Sequence, residues 1–292
     1  MPAPHAAMVE PADVRVEDVH PCATCGARPL GVCADLKGHE LQGMACASET
    51  VTAQPGQALF HEGDPNPFVF NVVDGAVKLY RLLPDGRRQI TGFLFQGDFL
   101  GLGGRGPSSF TAEALTPLSA CRFRRNEFDQ LLNALPALEH RLVAMAGDEL
   151  MAAQEQIVLL GRKTARERIA SFLTRLSARQ VQLGGPEGRV HLPMTRLDIA
   201  DYLGLTIETV SRVFTQFKTS GLIQLLPNNE VALPDPEALK ALGEGAAWAE
   251  RMIEGLGIEV PDNPLHDRYY GLVHFEFWAN KYVGPEVVAY MK

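Results

Sequence analysis

An α+β chain is predicted, with a β-roll first, then one long helix, then a winged helix-turn-helix and an appendage behind it. Three observations predict it. Between Val51 and Phe123, short apolar runs alternate with the turn signals Pro55-Gly56, Gly63-Asp64-Pro65, Asp74-Gly75, Pro84-Asp85-Gly86 and Gly97-Asp98, the pattern of successive short strands. After Asn126 these signals thin out. Past Pro136, residues Val143, Ala146, Leu150, Ala153, Ile157 and Leu160 recur at alternating intervals of three and four, which is a heptad seam. Further on, two helical patterns flank Gly204 and a hairpin pattern follows them.

The bulk numbers set the limits. A chain of 292 residues fits two domains with an appendage. Five cysteines, three of them crowded together, and the absence of an apolar run of membrane-span length point to a reduced, cytoplasmic protein, not a disulfide scaffold. The formal charge of -8 is unevenly spread: residues 161–233 carry 10 Lys and Arg against 6 Asp and Glu, while every other block is acidic. A nucleic-acid surface is therefore expected there and nowhere else. The boundaries drawn are a disordered lead-in over 1–19, a cysteine loop and roll over 20–135, a dimerisation helix over 136–160, the winged helix-turn-helix over 161–236, and an appendage over 237–292.

The stretch from His20 to Cys33 holds Cys22, Cys25 and Cys33 among two prolines and two glycines. A Cys-x2-Cys-x7-Cys spacing lets a loop wrap three soft ligands round a zinc ion or an iron-sulfur cluster. A fourth ligand is then required, and Cys46 and Cys121 are the candidates. A dithiol oxidoreductase would need Cys22 and Cys25 at a helix N-terminus inside a βαβ unit. No such pattern surrounds them, nor does a nucleophile-base set occur elsewhere, so an enzyme is not expected.

Within the roll, Phe68–Val73 and Ala76–Leu82 flank Asp74-Gly75 and read as a hairpin. The seam of the following helix wants a partner helix, although a stripe of this kind also packs against its own domain. Small Ala146 and Ala153 permit close approach of two copies. Thr195-Arg196-Leu197-Asp198 has capping-box character and opens a helix through Ile199, Ala200 and Leu203. Gly204 ends it. Thr206 caps a second helix with Val210, Val213 and Phe214 or Phe217 inward and Glu208, Ser211 and Arg212 outward. Leu222–Leu233, with Pro227-Asn228-Asn229-Glu230 in its middle, reads as the wing. A helix over Ala238–Ile253 and an aromatic group from Tyr269 to Tyr282 read as an added packing module, with no known ligand spacing among His266, Asp267, His274 and Glu276.

In the major groove, an arginine pairs with guanine O6 and N7, a carboxylate accepts from cytosine N4, and a serine bonds to either kind of edge. Glu208, Ser211 and Arg212 suit that chemistry. The alternative is an ordinary i,i+4 ion pair of Glu208 with Arg212 on a solvated helix; the basic charge and the helix-turn-helix around them favour DNA.

The order of roll, long helix and helix-turn-helix, with Gly63-Asp64, Gly97-Asp98-Phe99-Leu100-Gly101 and Thr206-Ile207-Glu208-Thr209-Val210-Ser211-Arg212, resembles the cyclic-AMP receptor and fumarate-nitrate-reduction regulator superfamily over roughly residues 20 to 240. The cysteine loop together with a lone cysteine at the end of the roll resembles its oxygen-sensing branch of alpha-proteobacterial type. That resemblance implies a four-iron, four-sulfur (4Fe-4S) cluster held by Cys22, Cys25, Cys33 and Cys121, with Cys46 a bystander. It also implies a homodimer on a near-palindromic operator with TTGAT half-sites, and contact with RNA polymerase through a roll loop such as Leu83–Arg88. Position agrees, since Cys121 ends a strand where a rigid ligand anchors a loose loop; Cys46 is expected to be a buried free thiol. Cyclic-nucleotide binders of the superfamily carry a Gly-Glu-Leu segment and an Arg-Ser pair. Here Gly101–Ser109 lacks the glutamate and has Ser108-Ser109 at the pair, leaving Arg105 as a substitute cation. A structural zinc or another small ligand are the alternatives to the cluster.

Overall fold

The computed structural model describes residues 22, 24–102 and 106–245. The expected lead-in and the appendage beyond residue 245, with its His, Asp and Glu group, lie outside the described residues. In chain order the elements are α1 (His39–Cys46), β1 (Ser48–Ala53), β2 (Ala58–Phe60), β3 (Phe68–Asp74), β4 (Val77–Leu82), β5 (Arg88–Leu94), β6 (Phe99–Leu100), β7 (Thr111–Ala114), β8 (Leu118–Arg124), α2 (Arg125–Ala134), α3 (Pro136–Arg162), α4 (Ala165–Gln182), β9 (Arg189–His191), α5 (Arg196–Leu203), α6 (Ile207–Thr219), β10 (Gln224–Leu225), β11 (Glu230–Ala232) and α7 (Pro236–Glu244). They form two compact units. One runs to Gly161 and includes Leu192–Glu208; the other joins Arg162–His191 to the chain from Thr209 on.

In the first unit, two antiparallel four-stranded sheets, ordered β1-β8-β3-β6 and β2-β7-β4-β5, make the roll. Phe70, Val72, Val77, Leu79, Leu94 and Leu118 fill it. The expected hairpin at Asp74-Gly75 does not form. β3 pairs with β8 and β6, whereas β4 pairs with β5 and β7, so the turn carries the chain from one sheet to the other. Thr116 holds it there, accepting a hydrogen bond from Ala76 N at 2.9 Å. The true hairpin is β4–β5, around Pro84-Asp85-Gly86.

Side chains alternate across a strand, so β3 and β8 send their other faces outward. Val69, Phe123 and Cys121 there meet Phe128 of α2, Leu138 of α3, Leu41 and Met44 of α1, and Val32 and Leu36 of the cysteine loop. Phe128 stacks on Phe99 at 5.2 Å and lies tilted to Phe123 at 5.5 Å, contacts worth about 0.5–1.5 kcal/mol each beyond area burial. Pro136 is the first residue of α3, where its missing N–H costs nothing. α3 turns Leu138 and Leu159 inward, but not the seam: Val143, Leu150 and Ile157 are 66%, 60% and 71% exposed. The seam therefore does not pack on its own roll.

α5 packs on β5. Both halves of its capping box form: Thr195 accepts from Asp198 N and Asp198 accepts from Thr195 N. It ends at Gly204, whose φ of 61° is a left-handed backbone that a glycine adopts without cost. Burial raises the pKa of the Asp198 carboxyl, but bonds from Thr195 and the Lys78 ammonium outweigh this and leave it below the ordinary value.

In the second unit α6 buries Val210, Val213, Phe214 and Phe217, and the Arg166 guanidinium lies 5.7 Å from the Phe217 ring. β10 and β11 make the wing, with Asn228 and Asn229 at φ 59° and 58°, which asparagine tolerates. A third wing strand, β9, pairs with β11; three residues are too few to show alternation in sequence. α7 starts at Pro236, two residues before the expected helix, because Asp235 caps it by accepting from Ala238 N at 2.9 Å. It packs on α4, where Ser171 Oγ donates to Gly243 O at 3.0 Å.

Candidate cysteine centre and nucleic-acid interface

The cysteine loop is a chain of tight turns, with Arg28 N donating to Cys25 O, Gly31 N to Ala27 O and Leu36 N to Cys33 O. It is less independent of the core than its composition suggests, since Ala27, Val32 and Leu36 are fully buried. Two polar residues grip its middle. Asn71 of β3 accepts from Val32 N at 3.4 Å, and a Cβ on Gly31 would lie 2.8 Å from Asn71 Oδ1, so a larger residue there would have to push Asn71 aside. From α3, Arg141 donates through Nη2 to Leu30 O at 2.6 Å and through Nε to Gly31 O at 3.2 Å.

Cys22, Cys33 and Cys121 pack against one and the same apolar cluster. Burial, then the charges of Cys22, Cys121 and Cys25, push the Cys33 thiol up to about 12. Burial, then Cys22 and Cys25, push Cys121 up to about 11, and burial followed by Cys25 raises Cys22. The four thiols thus share one neighbourhood. Among the described residues, no three Cys, His, Asp or Glu side chains converge as a finished metal site; what is built is a set of soft donors in which burial and neighbouring thiols oppose ionisation of Cys22, Cys33 and Cys121. A thiophilic cationic centre is the partner that reverses this opposition, because it stabilises thiolates. Cys121 lies on β8 with Thr50 and Asn71 opposite it on the flanking strands, a rigid position. Cys46 is exposed at the end of α1. The buried thiol expected there is absent because Leu41 and Met44 define the inward face, and a position two residues beyond Met44 points elsewhere.

On α6, Glu208, Ser211 and Arg212 are all exposed, opposite the four buried apolar side chains. Arg212 Nη2 donates to Thr209 Oγ1 at 3.3 Å. The Glu208 carboxyl is held below its ordinary value by its own backbone N–H and then by Thr206, so it is an acceptor at neutral pH. These local bonds take the place of the i,i+4 pair between the two.

The roll also encloses a cavity of about 250 Å³ lined by Phe60, Phe68, Leu100, Phe110, Asn66 and Ser108 among others. None of the described lining residues is charged, and Ser108 Oγ is buried without a hydrogen-bond partner. A cyclic phosphate needs a cation. The lining described supplies none, and Arg105 lies outside the described residues.

Asn71 was visible in sequence as the one polar residue inside Phe68–Val73, an exception that a buried strand makes only for a reason. Arg141 carried no such signal.

Residues 167–242 match the Crp-like helix-turn-helix domain, and residues 50–134 the cyclic nucleotide-binding domain. The chain is 40% identical over 239 residues to the nitrogen fixation regulation protein FixK of Bradyrhizobium diazoefficiens, covering 82% of this chain and 98% of that one. It is 40% identical to the transcriptional activator protein FnrL of Cereibacter sphaeroides, over 74% of this chain and 89% of the relative. The solved structure of FixK2 from Bradyrhizobium japonicum superposes with a TM-score of 0.62 at 36% identity, covering 67% of this chain and 96% of that one.

Proposed function

The chain belongs to the Crp/FNR family of DNA-binding transcriptional activators, and from that premise we propose that it senses oxygen through a four-iron, four-sulfur cluster held by Cys22, Cys25, Cys33 and Cys121. The observation that carries this reading is the gathering of these thiols, from a loop and from a strand far along the chain, on one side of the roll. When bound, the cluster supplies an oxygen-labile cross-link between that loop and β8. A simple test is colour. Anaerobically purified protein should be straw-brown, whereas a zinc protein would be colourless.

The chain's own residues carry the signal onward. The middle of the loop is held by Asn71 on one side and by Arg141 of α3 on the other, so a loop that moves takes with it the restraint on the start of the dimerisation helix. The exposed seam of α3 then pairs with a second copy. Two α6 helices face one side of the duplex. Their half-sites lie about one helical turn, roughly 34 Å, apart.

Removing the grip should uncouple loop from helix. Arg141→Ala is expected to keep the brown colour, because no ligand is lost, yet to weaken the anaerobic dimer by about 5- to 150-fold, the range of ordinary couplings between sites. Sedimentation over a concentration series measures this; an unchanged dimer constant would remove Arg141 from the path.

Contact with RNA polymerase belongs to the same reading. Asp85 and Arg87 stand exposed on the β4–β5 turn, joined at 2.8 Å. Arg88 does not share that role, since it is drawn away to Asp198 and Asp201. Arg87→Glu should leave operator binding at the wild-type level while transcription from a purified template falls. Unchanged transcription would take this turn out of the activation surface.

A further inference from the structure

We infer that the β4–β5 face of the roll is a seat for the first helix of the helix-turn-helix, and that Lys78 and Arg88 are positioning residues for DNA reading because they clamp Asp198 and Asp201 of α5. Lys78 Nζ lies 3.1 Å from Asp198 Oδ1. Arg88 reaches the same oxygen through Nη2 at 2.8 Å and Asp201 Oδ2 through Nε at 2.7 Å. Gln89 Nε2 donates to Asp201 O at 2.8 Å, and the Phe93 and Tyr202 rings meet at 5.1 Å. From α3, Gln156 Nε2 donates to Tyr202 O at 3.0 Å.

These are not solvated surface pairs. Lys78 is 6% exposed and Asp198 3%, and ions this well buried are costly to leave without a partner. On the roll side, Lys78 has Glu113 at 3.0 Å, one carboxylate beside two cations; the carboxylates of α5 complete the balance. Asp198 serves twice, since Oδ2 accepts from Thr195 to start the helix and Oδ1 accepts from the roll to dock it.

Two facts give the clamp its direction. It uses none of Glu208, Ser211 and Arg212, which stay exposed while it is closed, so it does not mask the reading face. The chain also leaves the first unit after Gly161, returns at Leu192 and leaves again after Glu208. With α5 seated, the segment that leads into α6 is anchored to the roll; with α5 free, that anchor is lost. Freedom of that kind must be given up on binding DNA and lowers affinity. This inference rests on the family's DNA binding and not on the cluster.

The experiment compares anaerobic full-length wild type with Arg88→Ala, Asp201→Ala, the double variant and Arg88→Lys, titrated with a duplex carrying inverted TTGAT half-sites. Asp198 is left intact because it caps α5. Each alanine variant should lose about tenfold in operator affinity, the double should lose no more than Arg88→Ala alone, and Arg88→Lys should recover part of the loss. Amide exchange over residues 196–203 should quicken, with the visible absorbance and dimer mass as in wild type. Wild-type affinity in both single variants would overturn the clamp, as would a double variant whose loss is the product of the two singles.

Discussion

Cys121→Ala, purified without oxygen, is expected to be colourless and to bind operator no better than air-exposed wild type. The expectation follows from position. Cys121 lies on a strand paired on both sides, while Cys22, Cys25 and Cys33 lie on a loop whose own restraints are Asn71 and Arg141. Removing the rigid ligand leaves three thiols on one loop and none on the sheet, so a cluster could no longer bridge the two. The alanine is itself tolerable in the half-buried site, so the fold should melt near its wild-type temperature. Operator affinity should fall by about 5- to 150-fold, the range expected where the proposed cluster site and the reading helices are coupled through a dimer. Cys46→Ala is the control, since its thiol is exposed at the end of α1. A brown, operator-competent Cys121→Ala protein would contradict the ligand set.

Arg212→Ala should have the second large effect, with the opposite signature: full colour and a full dimer, but poor reading. Each lost bidentate contact to guanine costs about 1–3 kcal/mol. A dimer on a palindrome loses it twice, so about 2–6 kcal/mol, or roughly 30-fold to 10⁴-fold, is expected at one tenfold step per 1.4 kcal/mol. The loss should shrink on duplexes in which that guanine is replaced in both half-sites. A uniform loss on every duplex would make Arg212 a phosphate contact instead.

What could be seen in the sequence was local. The Thr195-x2-Asp198 cap, the turn at Gly204 and the inward face of α6 each lie within a few residues, and each forms as the spacing implies. The seam over Val143–Leu160 was equally plain, and its exposure decides against packing on the roll. What could not be seen was the partner of each polar residue. Asn71 and Val32 are 39 positions apart, and Arg88 and Asp198 are 110 apart; nothing in either neighbourhood announces the other. Arg88 therefore read as part of an exposed polymerase-contact loop, though it bonds to Asp198 and Asp201 of α5. Asp74-Gly75 read as a hairpin for the same reason, because turn chemistry is local whereas β7 and β8, which claim the flanking strands, come some forty residues later.

The most direct test of the oxygen-sensing reading follows one anaerobic sample as air is admitted, recording visible absorbance, sedimentation mass and operator binding together. The protein should begin brown, dimeric and bound, and the three signals should fall on a common time course as the loop loses its link to Cys121. Contradiction would be a colourless anaerobic protein that binds operator fully, or operator binding that persists unchanged after the colour has gone.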